Sequence, residues 1–464
     1  MKSERRVLLA GYLAVCLIAA ALLLAPQLAG HVDDLDAQLH RTVVKHMVQS
    51  GHWLDLSCAP GLFPTYREHL PFAFMPFALG LQLLGPWGLD LVGLIFSLGT
   101  ITIVMLCGYQ LSSPGAALIA ALTLTLTESF WHWGARVLPD PLLWFFATGA
   151  AVLVLPKELS RRRWLLAGLM ASLGALVKGP FGLAPLACAA TAAAIVDRAP
   201  RKLVLGALVT LGALLPLAAF LLADHLWLHL GWWEGYGRNQ LLASAIGLRA
   251  DGSGGGFFLP FLVTLTRFWP GLPLVAVALW HAAKPEERFA RLLGLLSLLL
   301  LGILCLPSRK WPNHTWVAFP FLALLAGEGA RRWLGFWPGI RPWAARLSMG
   351  LSMAAVLTIA ASAAGLGRLV QPPPCVISTS FHEQLNRLPP GSDVLVVAPE
   401  TEVRLIASIL DETTLSPWSA RELELSGRDY QAAFIREPAS VPVPPGFAEA
   451  GRAGGWTLLV RVRP

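Results

Sequence analysis

The sequence is poor in charged residues, and this limits what kind of protein it can be. Asp, Glu, Lys and Arg make up only 14% of its 464 residues, whereas soluble globular proteins carry about 25%. Hydrophobic residues make up 55%, and the mean hydropathy is +0.59. Because a spanning helix needs about 20 apolar residues, this composition excludes an ordinary soluble protein. We predict a polytopic α-helical membrane protein.

Several common motifs are also missing. The six cysteines form no CxxC pair, which removes the usual zinc and redox motifs. The run Gly252–Gly256 has no GxGxxG pattern and no following Lys-Ser/Thr, so it does not predict a nucleotide-binding loop. Cys58 and Cys375 lie outside the apolar segments and can pair only if they meet in an oxidising compartment. Four cysteines fall inside apolar segments and are predicted to be small core residues: Cys16, Cys107, Cys188 and Cys305.

Apolar segments long enough to cross a bilayer recur through the first 370 residues. We predict eleven to thirteen spans, with these approximate bounds for eleven of them: 7–29, 88–110, 113–131, 140–156, 163–177, 180–196, 202–223, 259–281, 291–306, 314–330 and 347–369. Lys2, Arg5 and Arg6 precede the first span. That span is longer than the apolar region of a usual signal peptide, so we interpret it as a retained signal-anchor.

Basic residues mark alternate connections between these spans. With a cytoplasmic N-terminus, every inner connection except the tight turn 110–113 carries Lys or Arg, as the positive-inside rule requires. This parity holds if Pro71–Leu84, short and interrupted by Pro76, is a re-entrant or interfacial helix. The long loops 30–87 and 224–258 and the C-terminus then lie outside.

The chain changes character near residue 371, where Gln371–Pro374 reads as a stiff linker. Strands are predicted at Asp393–Pro399, Ala432–Ile435 and Trp456–Val462, and a helix at Val403–Leu410. We therefore divide the chain into a membrane domain, 1–370, and a small soluble α/β domain, 371–464.

An acidic cluster, Asp33, Asp34 and Asp36, follows the first span at the predicted outer surface. A carboxylate there can act as general base on a sugar or lipid hydroxyl. The same residues also suit the start of a helix near Asp36, because Asp is favoured in the first turn. Both interpretations stay open from the sequence.

Two further polar groups are predicted on the outer face. Tyr66, Glu68 and His69 precede the interfacial segment, and Arg136 and Asp140 flank the start of a later span. Each group supplies hydrogen-bond donors and a carboxylate. The alternatives are an interfacial anchor for the first group and a structural ion pair for the second.

Basic residues in connections that are predicted to lie outside depart from the positive-inside rule. Lys178 lies between two apolar segments without an acidic neighbour in sequence, and Arg238, Arg309 and Lys310 lie in outer connections. Phosphate is the natural ligand for such cations, although simple snorkelling also accounts for Lys178. A divalent metal held by Glu68 and His229 is a further hypothesis.

The order of these motifs resembles the GT-C superfamily of polyprenyl-phosphate-dependent glycosyltransferases. Within it, the chain is most similar to the branch of protein O-mannosyltransferases and lipid A aminoarabinose transferase. The resemblance covers most of the chain, and the shared order is its specific part. After the acidic cluster come Met47 to Trp53, Tyr66 to Pro71, Arg136 to Asp140, Lys178-Gly-Pro180 and Ser308-Arg-Lys310.

The resemblance implies an inverting sugar transfer. One of Asp33, Asp34 and Asp36 would deprotonate the acceptor hydroxyl, which attacks the anomeric carbon. Polyprenyl phosphate would leave, stabilised by Lys178, Arg238 and either Arg309 or Lys310.

Two departures from the family pattern leave details open. An ungapped match from Met47 favours Asp36 as the base, whereas the paired acids favour Asp33 or Asp34. His69 stands where the family has Lys, which weakens its assignment to the donor phosphate.

The implied partners are a polyprenyl-phosphate-linked sugar, a glycolipid, glycan or protein acceptor, and the bilayer. Nucleic acid is not expected, because the basic residues lie in short loops between spans. The implied location is a bacterial-type inner membrane, with the active site and C-terminal domain in the periplasm. A transporter of a lipid-linked substrate and a non-catalytic scaffold are the alternatives.

Overall fold

The protein is described here from a computed structural model. The structure describes residues 2–28, 35–57, 65–243, 256–284, 286–307, 310 and 312–335, and five strands between residues 393 and 461. Most of the described chain is helical. The helices are α1 Lys2–Leu28, α2 Leu35–Ser50, α3 Met75–Leu84, α4 Trp87–Leu111, α5 Pro114–Thr125, α6 Glu128–Trp133, α7 Pro139–Leu153, α8 Arg161–Lys178, α9 Ala184–Val196, α10 Pro200–Ala213, α11 Leu215–Ala223, α12 Leu259–Arg267, α13 Leu272–Ala282, α14 Arg288–Cys305 and α15 Phe319–Gly335.

Short irregular helices join several of these elements. The 3-10 turns are Pro71–Ala73, Gly179–Leu183, Trp269–Gly271 and Pro312–Ala318, and two π-helical segments cover Asp224–Leu228 and Trp233–Leu242. The predicted loop 224–258 therefore begins with ordered helical turns.

Proline and serine set the starts of several helices. The Ser113 hydroxyl accepts a hydrogen bond from the Ala116 N–H at 3.2 Å, and the Ser160 hydroxyl caps α8 in the same way. Pro114 and Pro139 occupy the first turn of α5 and α7, where proline costs no hydrogen bond. These caps satisfy N–H groups that lipid cannot.

Four described helical stretches are long and apolar enough to cross a membrane: Trp87–Leu111, Arg161–Val196, Pro200–Leu228 and Arg288–Cys305. The pair Leu259–Arg267 and Trp269–Ala282, which bends by 76°, would be a fifth span. Pro71–Leu84 is among the shorter apolar helices. The prediction of a multi-spanning helical protein is confirmed at this level, and the full number of spans stays a prediction.

Small residues allow close helix packing in the core. A Cβ added at Gly327 on α15 would meet the Ala116 backbone on α5, and one at Gly329 would meet the Leu274 backbone on α13. Such approaches are typical of helices that associate in membranes, where small residues let backbones come together. Cysteines also serve as small core residues, as predicted: Cys107, Cys188 and Cys305 are buried, and Cys16 is half-buried.

Connections that the charge rule puts on one side carry two ionic clusters, which adjoin at the consecutive residues Glu287 and Arg288. Asp197 accepts hydrogen bonds from Lys202 at 2.7 Å and from Arg288 at 2.6 and 2.7 Å. Lys202 also donates to the Pro156 carbonyl, and Arg288 also donates to the Leu155 carbonyl. The neighbouring part of the network joins five side chains: Glu287, Glu328, Arg331, Arg332 and Ser112. We call the whole set the ionic network.

The C-terminal region contains a five-stranded mixed sheet in the order β2-β1-β3-β5-β4. Its strands are β1 Asp393–Val397, β2 Thr414–Pro417, β3 Ala432–Arg436, β4 Phe447–Ala453 and β5 Trp456–Arg461. Strand β1 pairs in parallel with β2 and β3, and β5 pairs antiparallel with β3 and β4. The three predicted strands correspond to β1, β3 and β5. The predicted helix Val403–Leu410 lies outside the described residues, so a complete α/β domain stays a prediction.

Internal packing divides the chain into two units. The first contains Met1–Ala29, Arg67–Pro76 and Asp90–Leu366, and the second contains Gly30–Tyr66, Phe77–Leu89 and Gly367–Pro464. The first unit holds the ionic network, and the second holds the sheet. The predicted domain boundary at residue 371 is not tested by this division.

Candidate functional site

A buried ion pair joins α7 and α8 in the first unit. The Lys178 Nζ donates to Asp140 Oδ1 at 2.8 Å, and the two side chains are 11% and 5% exposed. Lysine has three N–H donors, and among the described residues Asp140 takes the one hydrogen bond that Lys178 makes. Lys178 therefore keeps donor capacity for an anion. The described contacts of Asp140 thus include Lys178 and do not include Arg136.

Local sequence explains why Lys178 and Asp140 lie where they do. Asp140 follows Pro139 in the first turn of α7, where a carboxylate also interacts favourably with the helix dipole. Lys178 is the last residue of α8, and Gly179 follows it at φ +64°, a conformation that glycine adopts without strain. The chain turns sharply at this point and continues into the 3-10 turn Gly179–Leu183.

Tyr236 lies directly against this turn. A methyl group built on Gly179 would be 2.6 Å from the Tyr236 hydroxyl oxygen, so the turn has room only for glycine. Tyr236 is 4% exposed. Burial raises the pKa of the Tyr236 hydroxyl above its ordinary value, and no hydrogen bond from the described residues contributes to that shift. The hydroxyl thus stays protonated and able to donate.

An apolar cavity of about 420 Å³ begins at the same turn. Its lining comes from the turn, from α11 and from the two π-helical segments: Pro180, Leu214, Leu217, Ala218, Leu221, Leu222, His225, Trp233 and Leu241. All but His225 are apolar. A cation and an apolar cavity therefore lie two residues apart along the chain, at Lys178 and Pro180.

Arg67, four residues before the predicted interfacial segment, contacts the loop predicted at 224–258. Its guanidinium donates to the Leu230 carbonyl at 3.0 and 2.6 Å and lies 4.5 Å from the centre of the Trp232 ring. Asp224 orders the same loop by accepting from the Leu230 and Trp233 N–H groups at 2.9 and 3.0 Å. These contacts hold the chain that carries Tyr236.

Arg136 lies in an aromatic cluster. Its guanidinium is 4.8 Å from the centre of the Trp133 ring and 3.4 Å from His132 Nε2. Trp133 stacks on Trp316 at 5.5 Å, and Trp316 meets Trp144 edge-on. Arg136 is 2% exposed within this cluster, so its guanidinium is not available at the protein surface.

The first outer loop contributes a helix and a buried tyrosine within the second unit. Asp36 lies exposed in the first turn of α2, as the predicted helix start requires. The buried Tyr66 hydroxyl lies 3.0 Å from His40 Nε2 on α2. Asp33 and Asp34 lie outside the described residues, so the choice of base among the three aspartates stays open.

The other predicted phosphate ligands are spread over different environments. Arg238 is 69% exposed and pairs at 3.3 Å with Glu234, itself 58% exposed. Lys310 is buried and lies 5.9 Å from the centre of the Phe257 ring, and Arg309 lies outside the described residues. His69 is half-buried, with its ring edge-on to Phe74 at 6.4 Å.

A metal role for Glu68 and His229 gains no geometric support. His229 is exposed, with φ 50°, and Glu68 is half-buried. Within the described ranges, no group of three or more His, Cys, Asp or Glu side chains is placed to hold a metal ion. No step in the proposal below depends on a metal.

Sequence reasoning missed the positions of Tyr236 and Arg67 in this site. In sequence, the aromatic residues of the motif from Trp232 to Asn239 suit sugar faces and lipid interfaces alike, and nothing in their spacing gives Tyr236 a separate role. The feature that could have indicated a role for Tyr236 is its hydroxyl, because the other aromatic side chains of the motif have none. Its contact with Gly179 is too distant in sequence to be inferred from spacing.

Structural comparison places this fold among known proteins. The crystal structure of ArnT from Cupriavidus metallidurans bound to undecaprenyl phosphate matches with a TM-score of 0.73 at 14% identity, over 97% of each chain. The apo form of that protein gives a TM-score of 0.69 at 14% identity, over 100% of this chain and 99% of the other. The oligosaccharyltransferase AglB from Archaeoglobus fulgidus, in complex with an inhibitory peptide and a dolichol-phosphate, gives 0.58 at 13% identity, over 92% and 69%.

Sequence comparison finds no match to any family model and none to any curated protein. The likeness is therefore one of structure, and at these identities it establishes the fold. ArnT, a lipid A aminoarabinose transferase, and AglB are both members of the GT-C superfamily. The resemblance predicted from motif order is confirmed at the level of architecture: the chain shares the fold of ArnT and AglB.

Proposed function

We propose that this chain is an integral-membrane inverting glycosyltransferase that moves a sugar from a polyprenyl-phosphate donor to an acceptor hydroxyl or phosphate. The observation that carries the proposal is the junction at Gly179. There, Lys178, whose side chain is 11% exposed and makes one hydrogen bond to the described residues, lies two residues before Pro180, which lines an apolar cavity of about 420 Å³. An anionic headgroup on an isoprenoid chain combines these two requirements in one molecule.

The donor would bind with its phosphate at Lys178 and its first isoprene units in the cavity beyond Pro180. Charge-assisted hydrogen bonds to phosphate contribute about 1.5–3 kcal/mol each. Arg238 and Arg309 or Lys310 are proposed as further phosphate ligands. The neighbours named above hold undecaprenyl phosphate and dolichol-phosphate, which supports this class of donor.

The transfer would be a single displacement. A carboxylate among Asp33, Asp34 and Asp36 takes the proton from the acceptor hydroxyl as its oxygen attacks the anomeric carbon. The bond from that carbon to the phosphate oxygen breaks, and polyprenyl phosphate leaves with the electron pair. Cations at the leaving oxygen stabilise the charge that develops there.

We further propose that the reaction occurs at the outer face of a bacterial-type inner membrane, with the C-terminal domain in the periplasm. The acceptor is a glycolipid such as lipid A, a glycan or a protein. The support is the charge parity of the connections and the position of the acidic cluster directly after the first span.

Transfer of labelled sugar in liposomes tests the proposal. Wild type would be supplied with a panel of polyprenyl-phosphate sugars and compared with Asp33→Asn, Asp34→Asn and Asp36→Asn. Loss of turnover in one variant, with donor binding intact, would identify the base. Unchanged turnover in all three would remove the general-base assignment. If wild type moves intact donor across the liposome membrane without transferring sugar, the chain is a transporter and the proposal is wrong.

A further inference from the structure

Tyr236 is a buried side chain whose hydroxyl the described contacts do not explain. The residue is 4% exposed, and burial is the cause of the upward shift of the pKa of its hydroxyl, without a hydrogen bond from described residues. A phenylalanine would fill nearly the same space. The hydroxyl is therefore a donor available to a ligand, because polar groups in protein interiors ordinarily have a hydrogen-bond partner.

The surroundings of the hydroxyl indicate which ligand it serves. It lies against Gly179, one residue from Lys178 and one from Pro180 at the cavity lining. Leu241, on the same π-helical segment as Tyr236, lines that cavity and also lies 3.1 Å from a methyl group built on Gly179. The Tyr236 hydroxyl thus contacts Gly179, the residue that joins Lys178 to the first lining residue of the cavity, Pro180.

We propose that the Tyr236 hydroxyl donates a hydrogen bond to a phosphate oxygen of the polyprenyl-phosphate donor, beside the Lys178 ammonium. This inference rests on the proposed function, since it assigns one more residue to the same phosphate. A neutral hydroxyl adds a hydrogen bond to the phosphate without adding a further positive charge to the site. Gly179 lets the hydroxyl approach the turn that directly follows Lys178.

Binding of two lipids to Tyr236→Phe tests the proposal. The probes are undecaprenyl phosphate and undecaprenol, which differ only in the phosphate, and the host is the full chain in detergent. We expect Tyr236→Phe to bind undecaprenyl phosphate about tenfold more weakly, as loss of one hydrogen bond to a charged group predicts. Its affinity for undecaprenol and its thermal stability should match wild type. Tyr109→Phe, an exposed tyrosine on α4, is the matched control and should change neither affinity.

The other outcomes distinguish failure of the Tyr236 assignment from failure of the proposed function. Equal binding of undecaprenyl phosphate by wild type and Tyr236→Phe would overturn the Tyr236 assignment alone. Weaker binding of both lipids would also overturn it, because Tyr236 would then only shape the cavity. A wild type that fails to prefer the phosphate over the alcohol would overturn the proposed function as well.

If Tyr236→Phe folds poorly, a second measurement tests the proposal without that variant. The ¹⁹F signal of 3-fluorotyrosine placed at position 236 should move on adding undecaprenyl phosphate and stay fixed on adding undecaprenol. A signal that stays fixed with both lipids, or moves equally with both, contradicts the proposal.

Discussion

The ion pair at the end of α8 and the ionic network differ in how many protein partners their cations have. The helix begins at Arg161, five residues after Pro156, whose carbonyl belongs to the network, and ends at Lys178; its 18 residues span about 27 Å. In the network, Asp197 accepts three hydrogen bonds from Lys202 and Arg288, and each of these cations also donates to a backbone carbonyl. At the end of α8, the described contacts use one donor of Lys178.

This difference separates structural charges from charges available to a ligand. In the ionic network, Lys202 and Arg288 each donate to Asp197 and to a backbone carbonyl, so removing the carboxylate leaves two partly buried cations without compensation. Lys178 makes one hydrogen bond to the described residues, to Asp140, and lies two residues before Pro180 of the cavity lining. We therefore expect substitutions in the network to change stability and substitutions at the pair to change donor binding.

The largest expected effect comes from replacing the pair with apolar side chains. Lys178→Met with Asp140→Leu removes both charges together, so the protein should keep its fold. Sugar transfer should fall by at least about 100-fold, as loss of charge-assisted phosphate contacts predicts. The measurement is turnover per folded molecule in liposomes. Transfer near the wild-type rate would remove Lys178 from the site.

The counterpart in the ionic network is Asp197→Asn. It leaves Lys202 and Arg288 without their carboxylate, and we expect a loss of about 2–4 kcal/mol in unfolding free energy, less than for a fully buried pair because Arg288 is 27% exposed. Turnover per folded molecule should stay near that of wild type. Unfolding in a denaturing detergent, with Glu234→Gln as an exposed control, measures the change. A variant that is stable but inactive would contradict the distinction between the network and the pair.

The same residue predicts a pH dependence. Burial works against the Asp197 carboxylate, but the hydrogen bonds from Arg288 and Lys202 outweigh it and hold the pKa of Asp197 below its ordinary value of 3.8. Its stabilisation is therefore complete above pH 3.8 and is lost as the pH falls through the lower folded value. The acid limb of a stability–pH curve should be shallower in Asp197→Asn than in wild type. Parallel curves would show that the network does not depend on this carboxylate.

Filling the cavity should have a smaller effect. Ala218→Trp adds an indole to the lining on α11, and we expect the affinity for undecaprenyl phosphate to fall about tenfold through lost apolar burial. A donor with only two isoprene units should be affected less. Leu208→Trp, on the exposed surface of α10, is the control for adding an indole to the surface. Equal losses with long and short donors would place the isoprenoid chain elsewhere.

Arg238→Gln is expected to have the smallest effect. The exposed Arg238–Glu234 pair contributes at most about 1 kcal/mol, so stability should not change measurably. If Arg238 also binds phosphate, the KM for donor should rise several-fold at constant kcat. An unchanged KM would restrict phosphate binding to the buried cations.

The sequence predicted the helical membrane class, the positions of most helices and the order of the polar motifs. It did not predict that Asp140 pairs with Lys178, 38 residues later. A structural ion pair of Arg136 with Asp140 was the alternative from sequence, but α7 begins only at Pro139, so the two side chains do not share a helix face. Sequence spacing predicts contacts within a helix and is silent about contacts between helices.

The C-terminal sheet shows the same limit. The predicted strands β1, β3 and β5 are the three inner strands of the order β2-β1-β3-β5-β4, and the missed strands β2 and β4 are its edges. Inner strands carry continuous apolar runs, such as Val394–Val397. The edge strand β2 ends in Pro417, and β4 contains Gly451 and Arg452, which weaken a strand pattern in sequence.

The exposed surface of α11 has a consequence for how substrate concentration is measured. Only 17% of the apolar stretch of Pro200–Leu228 is buried inside the protein, and Leu222, which lines the cavity, is 55% exposed. A lipid reaching the cavity past Leu222 would arrive sideways from the bilayer and never pass through water. For such an encounter the relevant quantity is the number of lipid molecules per unit area of membrane. Saturation curves for this protein should therefore collapse onto one another when plotted against mole fraction in the membrane, and diverge when plotted against bulk molarity.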